Sequence, residues 1–153
     1  MEKKINPNEK DWTGKSALYL ACNTDNDHII NMLIDAGANI EHHEYFDKTP
    51  LMESANSGKY ISAQCLVNRK ANVNFKNKYS ETALVMAIKK NDLAMIKLLV
   101  ENGANVNTTY EAKTIVELAQ KENSRPMIIA YLKKQTGKRI KIRELLNLKH
   151  WQY

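Results

Sequence analysis

Cysteine is scarce in this chain. Cys22 and Cys65 are the only two among 153 residues, too few for the disulfide framework that staples a small secreted domain. Both fall at core-like places in the pattern described below, where a free cysteine behaves as a small hydrophobe. No apolar run approaches the roughly 20 residues that a membrane-spanning helix needs. The opening stretch, Met1 to Asp11, has no apolar segment of the signal-peptide kind. A cytoplasmic protein is the expectation, or one acting in a host cytosol if it is exported as an effector. The motifs of chemistry are missing too: no Gly-rich phosphate loop, no HExxH, no cysteine spacing suited to zinc. His42-His43-Glu44 is a weak hint of a metal, because adjacent histidines point apart on most backbones; the plainer reading is a pair of solvent-facing histidines. No catalytic residue, cofactor or metal is expected, and an enzyme is not.

What the chain does have is a step of 33. Ser16-Ala-Leu-Tyr-Leu-Ala, Thr49-Pro-Leu-Met-Glu-Ser and Thr82-Ala-Leu-Val-Met-Ala start at positions 16, 49 and 82. Gly37-Ala-Asn-Ile, Lys70-Ala-Asn-Val and Gly103-Ala-Asn-Val keep the same step. A fixed period of this size implies stacked units. At 43% hydrophobic residues the chain is too apolar to be disordered.

The third unit is the clearest. Thr82 suits a helix N-cap, its hydroxyl accepting from an orphan N–H of the first turn. Ala83, Leu84, Ala87 and Ile88 lie on one face of a short helix. Asn91-Asp92 breaks it, and a second helix is predicted over about 93–101 with Leu93, Ile96, Leu98, Leu99 and Val100 turned to neighbours. Gly103 ends that helix, as a left-handed residue after the last turn favours glycine. Helices this short do not stand alone, so stacking must bury their apolar faces.

These stretches resemble the ankyrin repeat, whose pattern reads roughly D-x-x-G-x-T-P-L-H-x-A-A, then a second helix, then G-A-x-x-N. Asp11-Trp-Thr-Gly-Lys-Ser-Ala-Leu-Tyr-Leu-Ala-Cys, Thr49-Pro-Leu-Met-Glu-Ser-Ala and Thr82-Ala-Leu-Val-Met-Ala-Ile carry the resemblance, over about residues 8–136. It implies an all-α solenoid of helix–loop–helix units with projecting β-turn tips: about four repeats (8–40, 41–73, 74–106 and 107–136), then a cap helix or tail at 137–153. The fourth unit is degenerate, since Thr114 follows Thr82 one position early while Leu132 follows Leu99 by the full step. Pro126 suits the start of its second helix. The family's TPLH histidine is absent: Tyr19, Met52, Val85 and Glu117 stand in its place. Lys70 stands where glycine is expected. A left-handed non-glycine costs on the order of 1 kcal/mol, so the second unit should be a soft point or end its helix differently. Asp47 and Ser80 in place of the tip glycine matter less.

The resemblance also implies that a protein partner is met by the turn tips and the first helices, on one concave side. The tip residues are Trp12, Thr13 and Lys15; Tyr45, Phe46 and Lys48; Lys78, Tyr79 and Glu81; Tyr110, Glu111 and Lys113. Tyr19, Met52, Glu53, Val85 and Met86 add an inner-helix surface. Exposed tryptophan and tyrosine are favoured interface anchors, although the rings can instead pack on neighbouring tips. An unpaired buried carboxylate at Glu53 would be expensive, which places it on the rim or beside a partner.

Charge is uneven. Residues 1–112 hold 13 Lys and Arg against 14 Asp and Glu, whereas 113–153 hold 10 against 3. The segment 133–153 is either a helix capping the stack, with Ile142, Leu145 and Leu146 on one face, or a contact for nucleic acid, an anionic membrane or an acidic protein. Nothing in it supports base readout, so nucleic acid ranks below protein. The expected function is a monomeric adaptor binding one protein. An inhibitor, immunity or effector protein occluding a toxin or host enzyme is the first alternative, and association through the basic tail the second.

Overall fold

The computed structural model describes residues 6–44 and 46–137. The basic tail from 138 onward and Tyr45 lie outside the described residues.

The chain is a stack of four helix pairs: α1 (Ala17–Ala21) with α2 (Asp27–Asp35), α3 (Pro50–Asn56) with α4 (Tyr60–Asn68), α5 (Ala83–Lys89) with α6 (Leu93–Glu101), and α7 (Ile115–Lys121) with α8 (Pro126–Gln135). It is the all-α repeat architecture that the sequence implies. The first helix of every pair starts the same way. The side-chain oxygens of Ser16, Thr49, Thr82 and Thr114 accept from the N–H of Tyr19, Met52, Val85 and Glu117. Each cap thereby satisfies a backbone donor that the helix leaves unmet. The predicted helix over 93–101 is α6, capped by Asp92. Pro126 opens α8.

The first helices line up, α1 against α3, α3 against α5 and α5 against α7, while α2, α4 and α6 pack in a second row. Their contact faces form one continuous core, which includes both cysteines. Burial is deepest in the middle. Six of the seven residues of α5 are buried, whereas α2 buries Ile30 alone. No helix among the described residues is long and apolar enough to cross a membrane.

Turns join the pairs. Asp11, Glu44 and Asn77 each donate a backbone N–H across a tip, to the carbonyls of Lys15, Lys48 and Glu81. The fourth tip differs. Two short strands, β1 (Thr109–Tyr110) and β2 (Lys113–Thr114), pair antiparallel around Glu111 and Ala112. Those two residues have φ of 49° and 59°, the conformation of a tight two-residue hairpin turn. The shorter turn is why Thr114 comes one position early.

A recurring set of hydrogen bonds that the sequence reading missed ties the start of a unit to its end. Asn8 Nδ2 donates to the Gly37 carbonyl at 3.0 Å, and Asn8 Oδ1 accepts from Asn39 N–H at 2.6 Å. Asn74 does the same with Gly103 at 2.9 Å and Asn105 at 2.8 Å. Midway between them in the sequence, one repeat step from each, stands Glu41. It accepts from Asn72 N–H at 2.6 Å, but a carboxylate has no N–H for the Lys70 carbonyl. Lys70 is also the non-glycine here, at φ 67° against 94° and 88° for Gly37 and Gly103. The helix nevertheless ends as in the other units: Lys70 N–H reaches the Val67 carbonyl and Ala71 N–H the Leu66 carbonyl. The altered ending allowed for by the sequence does not occur, and the departure is absorbed as backbone strain.

Both departures fall at one joint, so restoring the pattern there should stabilise the protein. Lys70→Gly removes the left-handed strain and Glu41→Asn supplies the missing donor. Each is expected to add about 1 kcal/mol. Urea unfolding of the two single variants and the double checks this; a double variant no more stable than wild type would contradict it.

Candidate functional site

Three tips present large rings to solvent. Trp12 is 92% exposed, Phe46 63% and Tyr79 54%. Each rides on a turn fixed by a polar side chain. Asp11 Oδ1 accepts from Thr13 N–H, Thr13 Oγ1–H and Lys15 N–H at 2.7–3.0 Å. The Thr13 hydrogen bonds hold the Asp11 carboxyl below its ordinary range. Asn77 Oδ1 accepts from the N–H of Tyr79 and Glu81. Glu44 Oε2 accepts from Phe46 N–H at 3.0 Å. Asp47 and Ser80 occupy the left-handed corner with φ of 61° and 62°. Asp47 Oδ2 then accepts from Lys78 N–H at 2.9 Å, tying the second tip to the third. Thr13 and Asp47 are thus parts of the scaffold that holds the rings.

The remaining tip residues form local pairs. Lys15 Nζ lies 6.0 Å from the Tyr19 ring centre and Lys78 Nζ 5.2 Å from that of Tyr79. Lys89 Nζ joins two tips, at 2.9 Å from Glu81 Oε1 and 2.9 Å from Tyr110 Oη. Against the cost of burial, hydrogen bonds from Lys89 and Asn77 hold the Glu81 carboxyl below its usual range. Lys121 Nζ meets Glu111 Oε2 at 3.0 Å. Lys113 sits partly buried in β2.

Part of the expected surface is core instead. Tyr19, Met52, Val85 and Met86 are 4%, 1%, 0% and 4% exposed. The short first helices are packed by units on either side, which leaves this row no free face. Of the inner-helix set, Glu53 is partly exposed and is paired as well. It accepts from Tyr19 Oη–H at 2.6 Å and Ser57 Oγ–H at 2.9 Å, with Lys48 Nζ 4.0 Å away. Tyr19, where the family pattern has histidine, therefore supplies a side-chain hydrogen bond between the first and second units.

Of the two histidines expected to face solvent, His43 does, with its side chain 51% exposed, and His42 is partly buried. His43 Nδ1 meets Asp47 Oδ1 at 2.7 Å and its ring lies 5.8 Å from that of Phe75. His42 Nε2 is buried without a hydrogen-bond partner, and burial holds the imidazole below its ordinary pKa. Glu44 is buried, at 5% exposure. The chain could have signalled this: Glu44 stands one repeat step after Asp11 and one before Asn77, with a side chain one methylene longer than either. Among the described residues no group of three His, Cys, Asp or Glu is placed to hold a metal.

The family model described as ankyrin repeats (3 copies) matches residues 1–77 and again 51–144. No curated protein matches the chain. Ankyrin repeats are in general protein–protein interaction modules, and the family is typically non-enzymatic. With its step of 33 through the first three units, four helix pairs whose first helices are capped, and hydrogen-bonded tips, the chain belongs to the ankyrin-repeat family.

Proposed function

We propose that the chain is an adaptor that binds one protein partner along its row of turn tips, without turnover or cofactor, in a reducing cytosol. One observation carries the reading: Trp12, Phe46 and Tyr79 are held out on turns whose backbones are fixed by hydrogen bonds. Rings this exposed add little to the fold, whereas burying one against a partner is worth about 2 kcal/mol or more. Their turns are already ordered, so binding loses little backbone entropy. Lys15, Lys48, Lys113 and Glu81 flank the rings as the polar rim of such a contact. Tyr19, Met52 and Val85 support it from beneath.

The test is affinity capture from lysate, read by mass spectrometry and ultraviolet absorbance. Wild type is compared with a variant carrying Trp12, Tyr45, Phe46 and Tyr79 all as Ala, and with a chain truncated after Thr136. Wild type is expected to retain one protein in stoichiometric amount, and the truncation to keep it. The tip variant should lose at least about 100-fold in affinity, given about 2 kcal/mol or more for each central anchor, with its melting temperature little changed. Capture of nucleic acid or of many acidic proteins, lost on truncation alone, would move the function to the basic tail.

A further inference from the structure

The uncommitted charge of the tip row is of one sign. Every carboxylate of the turns is already engaged within the chain. Asp11 Oδ1 takes three hydrogen bonds from its own tip. Glu44 is buried and accepts from Phe46 N–H. Asp47 meets His43 Nδ1 with one oxygen and Lys78 N–H with the other. Glu81 is held by Lys89 and Asn77, and Glu111 by Lys121. The lysines divide differently. Lys10, Lys76 and Lys113 form no ion pair among the described residues. Lys10 and Lys76 are exposed, and each lines a cleft. Lys10 borders one of about 330 Å³ with His43, Glu44, Asp47 and Lys78, drawn from three successive tips. Lys76 borders another of about 370 Å³, where the third unit meets the fourth. Its other walls are Asn74, Thr82, Leu84, Asn105 and Thr108, so Lys76 is the charged side chain of that cleft and no carboxylate answers it.

We propose that the protein partner meets the tip row with an acidic segment whose carboxylates sit on Lys10 and Lys76; the proposal rests on the tip row being the partner surface. Lys78, 5.2 Å from the centre of the exposed Tyr79 ring, borders the Lys10 cleft and ties it to that row. When a partner covers the rings, the ammonium groups near them lose water. That loss is costly unless an anion takes the place of the water. The turns have no uncommitted carboxylate to offer, so the partner must bring one. Opposite charges across the contact also guide the encounter and reject basic competitors. A side-chain carboxylate suits these clefts better than a nucleic-acid phosphate. A phosphate backbone is followed by a run of cations, whereas here Asp47, Glu81 and Glu111 interrupt the row.

A short peptide tests the clefts without the partner. The ¹⁵N-labelled full chain is titrated at low salt with the acetylated, amidated peptide Glu-Glu-Leu-Glu-Glu-Leu, with its counterpart carrying glutamine for every glutamate, and with a thymidine oligonucleotide. Amide resonances report each site separately, so binding at the basic tail is told apart from binding at the tips. The acidic peptide is expected to shift the amides around Lys10 and Lys76 saturably, and the glutamine peptide to leave them in place. Lys10→Gln and Lys76→Gln should each weaken the response at its own cleft at least about threefold, the scale of an exposed ion pair. Both lysines are exposed, so neither substitution disturbs the core. Shifts confined to the tail, an equal response to the glutamine peptide or to the oligonucleotide at the tip amides, or binding undiminished in both variants would overturn the proposal. The peptide comparison on wild type decides the question even where a variant fails to fold. Failure of the tip reading shows instead in the capture experiment, as a partner kept by the tip variant, so the two are distinguishable.

Discussion

Leu99→Ala is expected to destabilise the whole stack by about 3 kcal/mol, and the same substitution at Leu132 to release the last helix pair alone. Leu66, Leu99 and Leu132 hold one position of the second helix in successive units, one repeat step apart, and each is fully buried. The substitution therefore removes the same atoms from similar surroundings and leaves a good helix former behind. What differs is the place in the stack. Helix α6 packs on α5 and α4, in the middle of the array, so loosening it uncouples units on both sides. Stability in a repeat stack is close to a sum of unit and neighbour contributions, and a central loss is felt by all of them. Around α8 burial is thinner, with Ile128 and Leu132 its buried residues. Hydrogen exchange separates the outcomes. Leu99→Ala should lower protection from α3 through α8 together. Leu132→Ala should strip protection from α7 and α8 while α3 to α6 keep theirs. Equal, global effects of both substitutions would mean that the chain unfolds as one unit.

Much of this architecture was legible because each unit repeats its local instructions. Thr82 and its counterparts announce a cap and Asn91-Asp92 a break. Leu93 to Val100 announce a helix that must be covered. These signals are short-range, and the constant step multiplies them. What was less legible depends on contacts between residues far apart in the chain. The Asn8–Gly37 and Asn74–Gly103 hydrogen bonds join residues 29 apart, and no local signal reveals that an asparagine before the tip closes the end of the unit's second helix. The spacing of Asn8, Glu41 and Asn74 was nevertheless available to read. Lys70 shows the opposite limit. Its cost was foreseen from the missing glycine, but only the structure shows the helix ending unchanged and the strain confined to one residue.

The candidate surface divides in the same way. Ring exposure at Trp12, Phe46 and Tyr79 follows from projecting turns, which have no interior. The burial of Tyr19, Met52 and Val85 does not follow from helix periodicity. A first helix of five to seven residues is enclosed on nearly every side once its neighbours stack. Amphipathic spacing assumes one wet face, and that assumption fails for α5. Glu44 escaped because a longer carboxylate at a turn position looks harmless until the turn hydrogen bonds are counted.

Burial of titratable groups leads to the second large effect, a loss of stability in alkali. Cys22 is fully buried, and burial pushes its thiol up to about 12 from an ordinary value of 9.0. Tyr19 is raised as well, by burial first and then by its hydrogen bond to Glu53. Both groups lose a proton and gain a negative charge. In the unfolded chain Cys22 deprotonates from about pH 9, while in the folded chain it stays protonated. Over that window the native state binds more protons than the unfolded state, so stability falls as pH rises. For one such group the slope approaches about 1.4 kcal/mol per pH unit. By pH 12 the thiol alone would remove about 4 kcal/mol, a large share of the 5–15 kcal/mol that holds a domain together. Tyr19 joins above about pH 10, its ordinary range. Thermal melts of wild type between pH 7 and pH 11 should therefore show the midpoint falling steeply beyond pH 9. Cys22→Ala exchanges a small side chain for a smaller one and removes the titrating group. It should lessen the fall between pH 9 and the range of Tyr19, where Cys65, whose thiol burial also raises, still titrates, whatever its modest cost at neutral pH. Parallel curves for wild type and Cys22→Ala above pH 9 would mean that the thiol is not held protonated by the fold.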